Sequence, residues 1–357
     1  RRARDLGRLA AGGCGMSARW PAPRLRPETV VPVLSFAVVL AAFLLTPVYH
    51  GHTLSDFDAF NTLQGFASLG LIALALGLTI IAGEFDVSVL GMQALGGVLA
   101  VKAGASSGVL GILAATAGCA FLGALQGGAI ARLRIQSMPV TIGTYIALLG
   151  LTNVVAGNET LTFSNTNASI WINQTVASFF SPRSLIALGV FALVMLVCGA
   201  TRIGPELRAL GGDRRASRVV GVPVDRRLVA LFAVSGALAG LAGAMLAYSN
   251  ASASLNPGLQ PLVLAAAAAV LGGLSLRGGR GAIWGLLLGA LAVSLLEQVF
   301  TITALPTSSA QIVFGSLLLV VVVVDAPELR SSLARLQARR TSMRQISPQV
   351  KPKAQRS

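Results

Sequence analysis

The sequence predicts an all-α polytopic membrane protein of about ten transmembrane helices. Three observations carry this. The chain is 54% hydrophobic and 11% charged, with a mean hydropathy of +0.75 over 357 residues, too much apolar surface for a water-soluble fold. Apolar stretches recur at the length of roughly 20 residues that a helix needs to cross a hydrocarbon core of about 30 Å. Backbone groups cannot stay unpaired in lipid, so these stretches are helices, and the alternating pattern of a membrane β-barrel is absent. Finally, the basic residues are segregated. Of 28 Lys and Arg, seven lie in the N-terminal arm, two in 132–137, seven in 202–227, two in 275–280 and eight from Arg330 onward, leaving only Lys102 and Arg183. With both termini cytoplasmic, this puts 26 of the 28 on one side, as the positive-inside rule requires. The net charge of +15 is therefore topology, with some attraction to anionic lipid, and not a nucleic-acid footprint.

Residues 1–27 form a basic arm with the composition of a disordered segment. It has no central apolar stretch, so it is not a signal peptide, and Met16 is a candidate start. Spans are predicted at 30–48, 60–82, 88–103, 108–131, 138–157, 184–201, 228–248, 260–274, 281–303 and 308–325, within a transmembrane domain of 28–330. A basic cytoplasmic tail, 331–357, follows. His50 and His52, the two histidines, share an outer loop after the first span. Polar residues are sparse inside the spans. Asn61, Gln64, Gln93, Gln126 and Asn153 are candidates for lining a polar path, although each alone reads more simply as an interhelical contact. The longest outer segment, 158–183, is rich in Asn and Thr and carries Trp171, Phe179 and Phe180. It reads either as an interfacial linker or as a docking surface for an external partner.

The loop 202–227 is too elaborate for a linker. Asp213 is placed to cap a helix, Gly221 to end it in the left-handed conformation, and Pro223 to prevent its continuation. Between them Ala216, Val219 and Val220 fall at i, i+3 and i+4, with Arg214, Arg215 and Arg218 on other faces. Two turns bury too little for a membrane anchor, so the helix reads as a knob that inserts into a partner protein. Further on, Gly236, Gly240 and Gly243, then Gly281, Gly285 and Gly289, give faces for close helix approach. Glu297 is the one acidic residue well inside a span. Such a group is a functional candidate by default, but near a helix end and beside Gln298 it reads as hydrogen-bonded to a neighbouring helix.

No catalytic constellation is visible. Cys119 and Cys198 lie in apolar spans and Cys14 in the arm, with no metal-binding or disulfide spacing. There is no phosphate-binding GxxxxGK[ST]. The chain is therefore expected to be no enzyme and to hold no cofactor.

Four stretches resemble the ribose-type permeases of bacterial ABC importers, in the order found in that family. "RALGGDRRASRVVGVPVD" (208–225) resembles the cytoplasmic coupling loop. "GEFDVSVLG" (83–91) resembles the Gly-Gly-Ile-Asp-Leu-Ser-Val-Gly signature. "MPVTIGTYIALLG" (138–150) resembles the Pro-x-x-Thr-Leu-Gly-Thr segment, and "VLGGLSLRGGRG" (270–281) the Leu-Gly-Gly-Thr-Ser-Leu-x-Gly-Gly-Arg-Gly turn. The departures are Glu84 for the second Gly, Leu90 for the last Gly of the signature, and Leu274 for Thr. The resemblance covers about residues 60–325 and implies a sugar-importing permease subunit of the bacterial cytoplasmic membrane. Its implied partners are an ATP-binding subunit that carries ATP and Mg, an extracytoplasmic binding protein, and a second permease chain. It implies ATPase coupling through Arg208, Gly211, Gly212, Asp213, Ala216, Val219, Val220 and Gly221. It also implies structured turns at Asp86, Ser88, Thr141, Gly143, Thr144, Gly272, Gly273, Gly278, Gly279 and Arg280. Five spans per half would invert the second half relative to the first. Asp86 would then cap the third span, and Ser88 would bond to nearby backbone. The alternatives are a branched-chain amino-acid or nucleoside ABC permease and, from another class, an ion-coupled secondary transporter.

Overall fold

The structure is a computed structural model that describes residues 27–50 and 53–325. His52 and nearly all of the basic arm and tail lie outside the described residues. Every predicted span carries a helix. These are α1 (Pro27–His50), α2 (Asp56–Ile81), α3 (Val89–Gly104), α4 (Gly108–Leu133), α5 (Ser137–Ala156), α7 (Pro182–Ala200), α10 (Val224–Ser249), α11 (Gln260–Leu271), α12 (Ile283–Ile302) and α13 (Thr307–Asp325). Three shorter helices join them: α6 (Thr166–Asn173), α8 (Ile203–Gly212) and α9 (Arg214–Val219). Among the described residues, α2, α4, α5, α7, α10 and α12 are long and apolar enough to cross a membrane, while α3, α11 and part of α1 are shorter apolar helices.

The core is built around α2, which is apolar on all sides and buried almost continuously from Phe66 to Ala82, as a helix wrapped by others must be. Helices α7, α10, α11 and α12 pack around it, and α3 packs mainly on α10 and α4. Helices α4, α5 and α7 keep an uncovered face bearing Leu125, Ile146, Val154 and Leu196, which suits lipid. The glycines inside α10 and α12 make the close approaches that their spacing predicts, whereas Gly281 precedes α12 in a turn at φ +129°. A Cβ on Gly243 would lie 1.9 Å from the Gln93 carbonyl of α3, and one on Gly236 2.3 Å from the Cys119 carbonyl of α4. Helix α10 therefore sits in backbone contact with both.

Two segments are more ordered than the sequence suggested. The outer stretch 158–183 is not a plain linker. Its strand β1 (Leu161–Thr162) pairs antiparallel with β2 (Ser252–Ala253), and Asn165 caps α6 by accepting from Ala168 N at 3.2 Å. Phe163 and Ile172 are buried, and Phe163 stacks on Tyr248 at 4.1 Å. The loop 202–227 opens with α8, which turns Leu207 and Leu210 inward. The capped helix after it is six residues long, shorter than the two turns expected, and α10 begins at Val224 rather than 228.

Candidate functional site

At the end of the bundle that carries α8 and α9, the capped helix is built as its residues dictate. The Asp213 carboxylate accepts from the backbone N–H of Arg215 at 2.7 Å and of Ala216 at 3.1 Å. The buried Ser217 hydroxyl donates to the Asp213 carbonyl at 2.8 Å, and Gly221 ends the helix at φ +86°. An Arg218–Asp225 ion pair of 2.8 Å and an Arg227–Glu206 pair brace the segment. The apolar stripe faces away from the bundle. Ala216 is exposed, Val219 is 87% exposed and Val220 76%. The two valines stand next to one another on the surface, at the end of α9 and at its C-cap.

Behind α9 lies a junction of glycines. Gly83 in the turn after α2, Gly211 at the end of α8, and Gly278 and Gly279 in the turn before α12 meet in main-chain contact. Gly279 N–H donates to the Ile81 carbonyl at 2.9 Å. Gly83, Gly278 and Gly279 have φ of +78°, +84° and +73°, a region that glycine enters without strain. A Cβ on Gly211 would lie 2.1 Å from the Ile81 carbonyl. The turns "GEFDVS" and "LSLRGGRG" therefore converge on the base of α9. Glu84, buried at 3% exposure, adds an ion pair to Arg214 of α9. Burial, and then the neighbouring Arg218, press the Arg214 guanidinium below its ordinary pKa.

Beside the junction, Asp86 ties its own turn to α4 and α10. Its carboxylate accepts from the Ser88 hydroxyl at 2.5 Å, the Ser88 N–H at 3.0 Å, the Ser235 hydroxyl at 3.0 Å and the Gln126 amide at 3.4 Å. This corrects the expected pattern. Asp86 closes a local turn rather than capping α3, whose capping position is Ser88, and Ser88 Oγ donates to the carboxylate instead of to backbone. Thr141 of α5, fully buried, reaches the Phe85 carbonyl at 3.2 Å, which joins two of the resembling stretches. Gly272 packs against the α12 backbone at Gly285 and Gly273 adopts φ +74°. The Arg280 carbonyl accepts from Ser275 N–H at 3.3 Å. Gly143 stands open and Thr144 is half-buried, and neither joins the junction. Arg208 and Gly212 are exposed on α8.

The opposite half of the bundle holds two adjoining polar cavities. One of about 340 Å³ is lined by Gln64, Gln93, Arg183, Asn250, Gln260 and Glu297, among others. The other, about 420 Å³, shares Gln93 and Asn250 and adds Thr160 and Asn256. Gln64 Oε1 accepts from Arg183 Nε and from the Ser181 hydroxyl at 3.2 Å. Gln93 is 5% exposed and its Oε1 has no hydrogen-bond partner among the described residues.

Of the five polar span residues, Gln64 and Gln93 come together here. Gln126 belongs to Asp86, Asn153 donates to its own helix at the Leu149 carbonyl, and Asn61 is half-buried farther along α2. Glu297 departs from expectation. Gln298, not Glu297, makes the interhelical bond, to Asp58 at 3.2 Å, while Glu297 faces the cavity. Asn250 and Gln260 were not singled out in the sequence, and Arg183 only as a basic residue off the cytoplasmic side. They sit at span ends, where polar residues are ordinary, and only the chain's folding back brings them to one place.

The profile of the family described as "Branched-chain amino acid transport system / permease component" matches residues 58–322. The chain is similar to a ribose import permease protein of Escherichia coli K12, 30% identical over 298 residues, covering 81% of this chain and 91% of the relative. It is 28% identical over 309 residues to a fructose import permease protein of Rhizobium meliloti, covering 83% and 84%. It is also 28% identical over 303 residues to an L-arabinose ABC transporter permease protein of Azospirillum brasilense, covering 82% and 86%. No solved structure matches the chain.

Proposed function

Because the chain belongs to the family of branched-chain amino acid transport system permease components, which it matches over most of its length, we propose that it is the membrane subunit of a bacterial ABC importer and that its solute is a sugar. As a member of that family it is a multi-pass permease component, not itself an enzyme. The sugar reading is carried by one observation: relatives that import ribose, fructose or arabinose align over most of both chains at about 30% identity.

In this reading ten helices cross the membrane in two inverted halves, both termini are cytoplasmic, and the α8–α9 end lies inside. The segregation of 26 of 28 basic residues supports that orientation. The 82–88 and 272–281 turns meet at one end of the bundle, the end that this reading places inside. A separate cytoplasmic ATPase, with its ATP and Mg, docks over Ala216, Val219 and Val220. The uncovered valines support this. Movement imposed on α9 then passes to the ends of α2, α8 and α12, because the glycine junction leaves no side chains to absorb it. An extracytoplasmic binding protein delivers the sugar to the opposite end, where the 158–183 stretch and the polar cavities lie, and a second permease chain completes the path.

A second reading, an amino-acid solute, is favoured by one observation: Arg183 and Glu297 line one cavity and suit a zwitterion. Against it, Arg183 Nε is already engaged by Gln64. The test is uptake by the importer assembled with its ATPase and binding protein, using radiolabelled D-ribose, D-fructose, L-arabinose and L-leucine. Uptake of one or more of the sugars, but not of leucine, is expected. Uptake of leucine and none of the sugars would overturn the sugar reading.

A further inference from the structure

We propose that the cavity between α2, α3, α7, α10, α11 and α12 is a binding site for an uncharged polyhydroxy solute, held chiefly by Gln93 and Glu297. The inference rests on the sugar reading above and deepens it: it assigns the ligand a place inside a single chain and a pair of residues that hold it.

The first ground is an unmet hydrogen-bond acceptor. Gln93 sits in the second turn of α3, nearly sealed from solvent, with Oε1 unpaired among the described residues. A buried polar atom without a partner is destabilising, so native structures rarely keep one that no water or ligand meets. The second ground is Glu297. It is half-buried, lines the same cavity, and has no ion pair or side-chain hydrogen bond among the described residues. The cavity presents an amide oxygen and a carboxylate beside the Arg183 guanidinium, whose Nε is held by Gln64, and the two acceptors call for hydrogen-bond donors. Hydroxyl groups supply them, and each retains an acceptor for the amide nitrogens of Asn250 or Gln260 at the rim. A hydroxyl donating to a carboxylate makes the stronger, charge-assisted kind of bond.

The remaining walls fit the rest of such a molecule. Leu69, Ile72, Leu246, Pro257 and Leu264 give the cavity an apolar lining for the C–H faces of a sugar ring. Its volume of about 340 Å³ lies in the range that small-molecule sites occupy. The charge sets a limit as well. Glu297 and Arg183 line the cavity together and offset one another, so no net charge draws an ionic solute and the site takes a free sugar in preference to its phosphate ester. Few groups hold the ligand, which suits a site that must release it inward.

Two measurements on the assembled importer test this. In the first, uptake kinetics in proteoliposomes are compared for wild type, Glu297→Gln and Gln93→Leu, with the panel sugar that wild type takes up best. Loss of one such hydrogen bond should raise KM by about tenfold while the amount of ATPase that co-purifies with the chain stays that of wild type, which a general folding defect would not allow. In the second, which needs no disruptive change, Gln260→Cys at the exposed rim is made in a chain whose native cysteines are replaced by serine. Its modification by an impermeant thiol reagent should be slowed by the transported sugar and not by that sugar's phosphate ester. Normal KM in both variants together with no sugar protection of Gln260→Cys would overturn the site and leave the sugar reading standing. Failure of wild type to take up any of the three sugars would overturn both.

Discussion

The Glu84–Arg214 pair is where this chain departs most visibly from the permease signature it resembles, which carries glycine in place of Glu84. A glycine there would leave the turn and α9 in contact but not joined by charge. Here a carboxylate at 3% exposure reaches a guanidinium on the helix proposed to receive the ATPase. Removing one partner of a buried pair leaves an uncompensated charge, and Arg214, partly solvated, softens that cost. We predict that Glu84→Ala and Arg214→Ala each lower the melting temperature of the purified chain. Their combination should show a coupling energy of about 0.5–3 kcal/mol, as for residues in direct contact. Strictly additive effects would mean that the pair contributes nothing. Glu84 was legible in the sequence only as an anomaly, because its partner lies 130 residues away and nothing local announces it.

At the scale of elements, the long helices and the capped α9 were readable because their causes are local: apolar length for the first, Asp213, Gly221 and Pro223 for the second. Helix α8 was missed because its inward pair, Leu207 and Leu210, is flanked by Arg202, Gly204, Pro205 and Arg208, which read as loop. The glycine junction was half legible. Gly83, Gly278 and Gly279 announce turns, but not which turns meet. Since Gly211 touches the Ile81 carbonyl and the Gly279 N–H, Gly211→Ala should force those backbones apart. The expected cost is about 1–3 kcal/mol, as for overpacking elsewhere, read as a lowered melting temperature. An unchanged melting temperature would show the junction to be loose. For α9 the prediction concerns docking. Val219→Glu and Ala216→Glu would put an unpaired carboxylate under the ATPase at a cost of several kcal/mol before relaxation. Co-purified ATPase and uptake should then be lost at normal chain levels. Arg215→Ala, at the rim, should cost only about 0–1 kcal/mol. Retained co-purification and uptake in Val219→Glu would make α9 a basic anchor and nothing more.

For the whole molecule, charge segregation and span count define an orientation that can be checked without any partner. Asn167 lies exposed on α6, at the end of the bundle assigned to the outside. Asn167→Cys in a cysteine-free chain should react with an impermeant reagent on intact cells, and reaction only after lysis would invert the topology. The polar cavities mark the limit of what sequence could reveal. Gln64 and Gln93 stand out in apolar spans, whereas Asn250, Gln260 and Arg183 acquire meaning only when β1 and β2 and the packing of α2 on α7 and α11 gather them. The account as a whole holds that work enters through α9 from another protein, since this chain has neither a phosphate-binding loop nor a described ion-coupling carboxylate pair. It is tested most directly by the energy source for uptake of the transported sugar into proteoliposomes. The account predicts accumulation against a gradient only when ATPase, binding protein and ATP are all present. Accumulation by the purified chain alone, driven by a proton or sodium gradient, would contradict it.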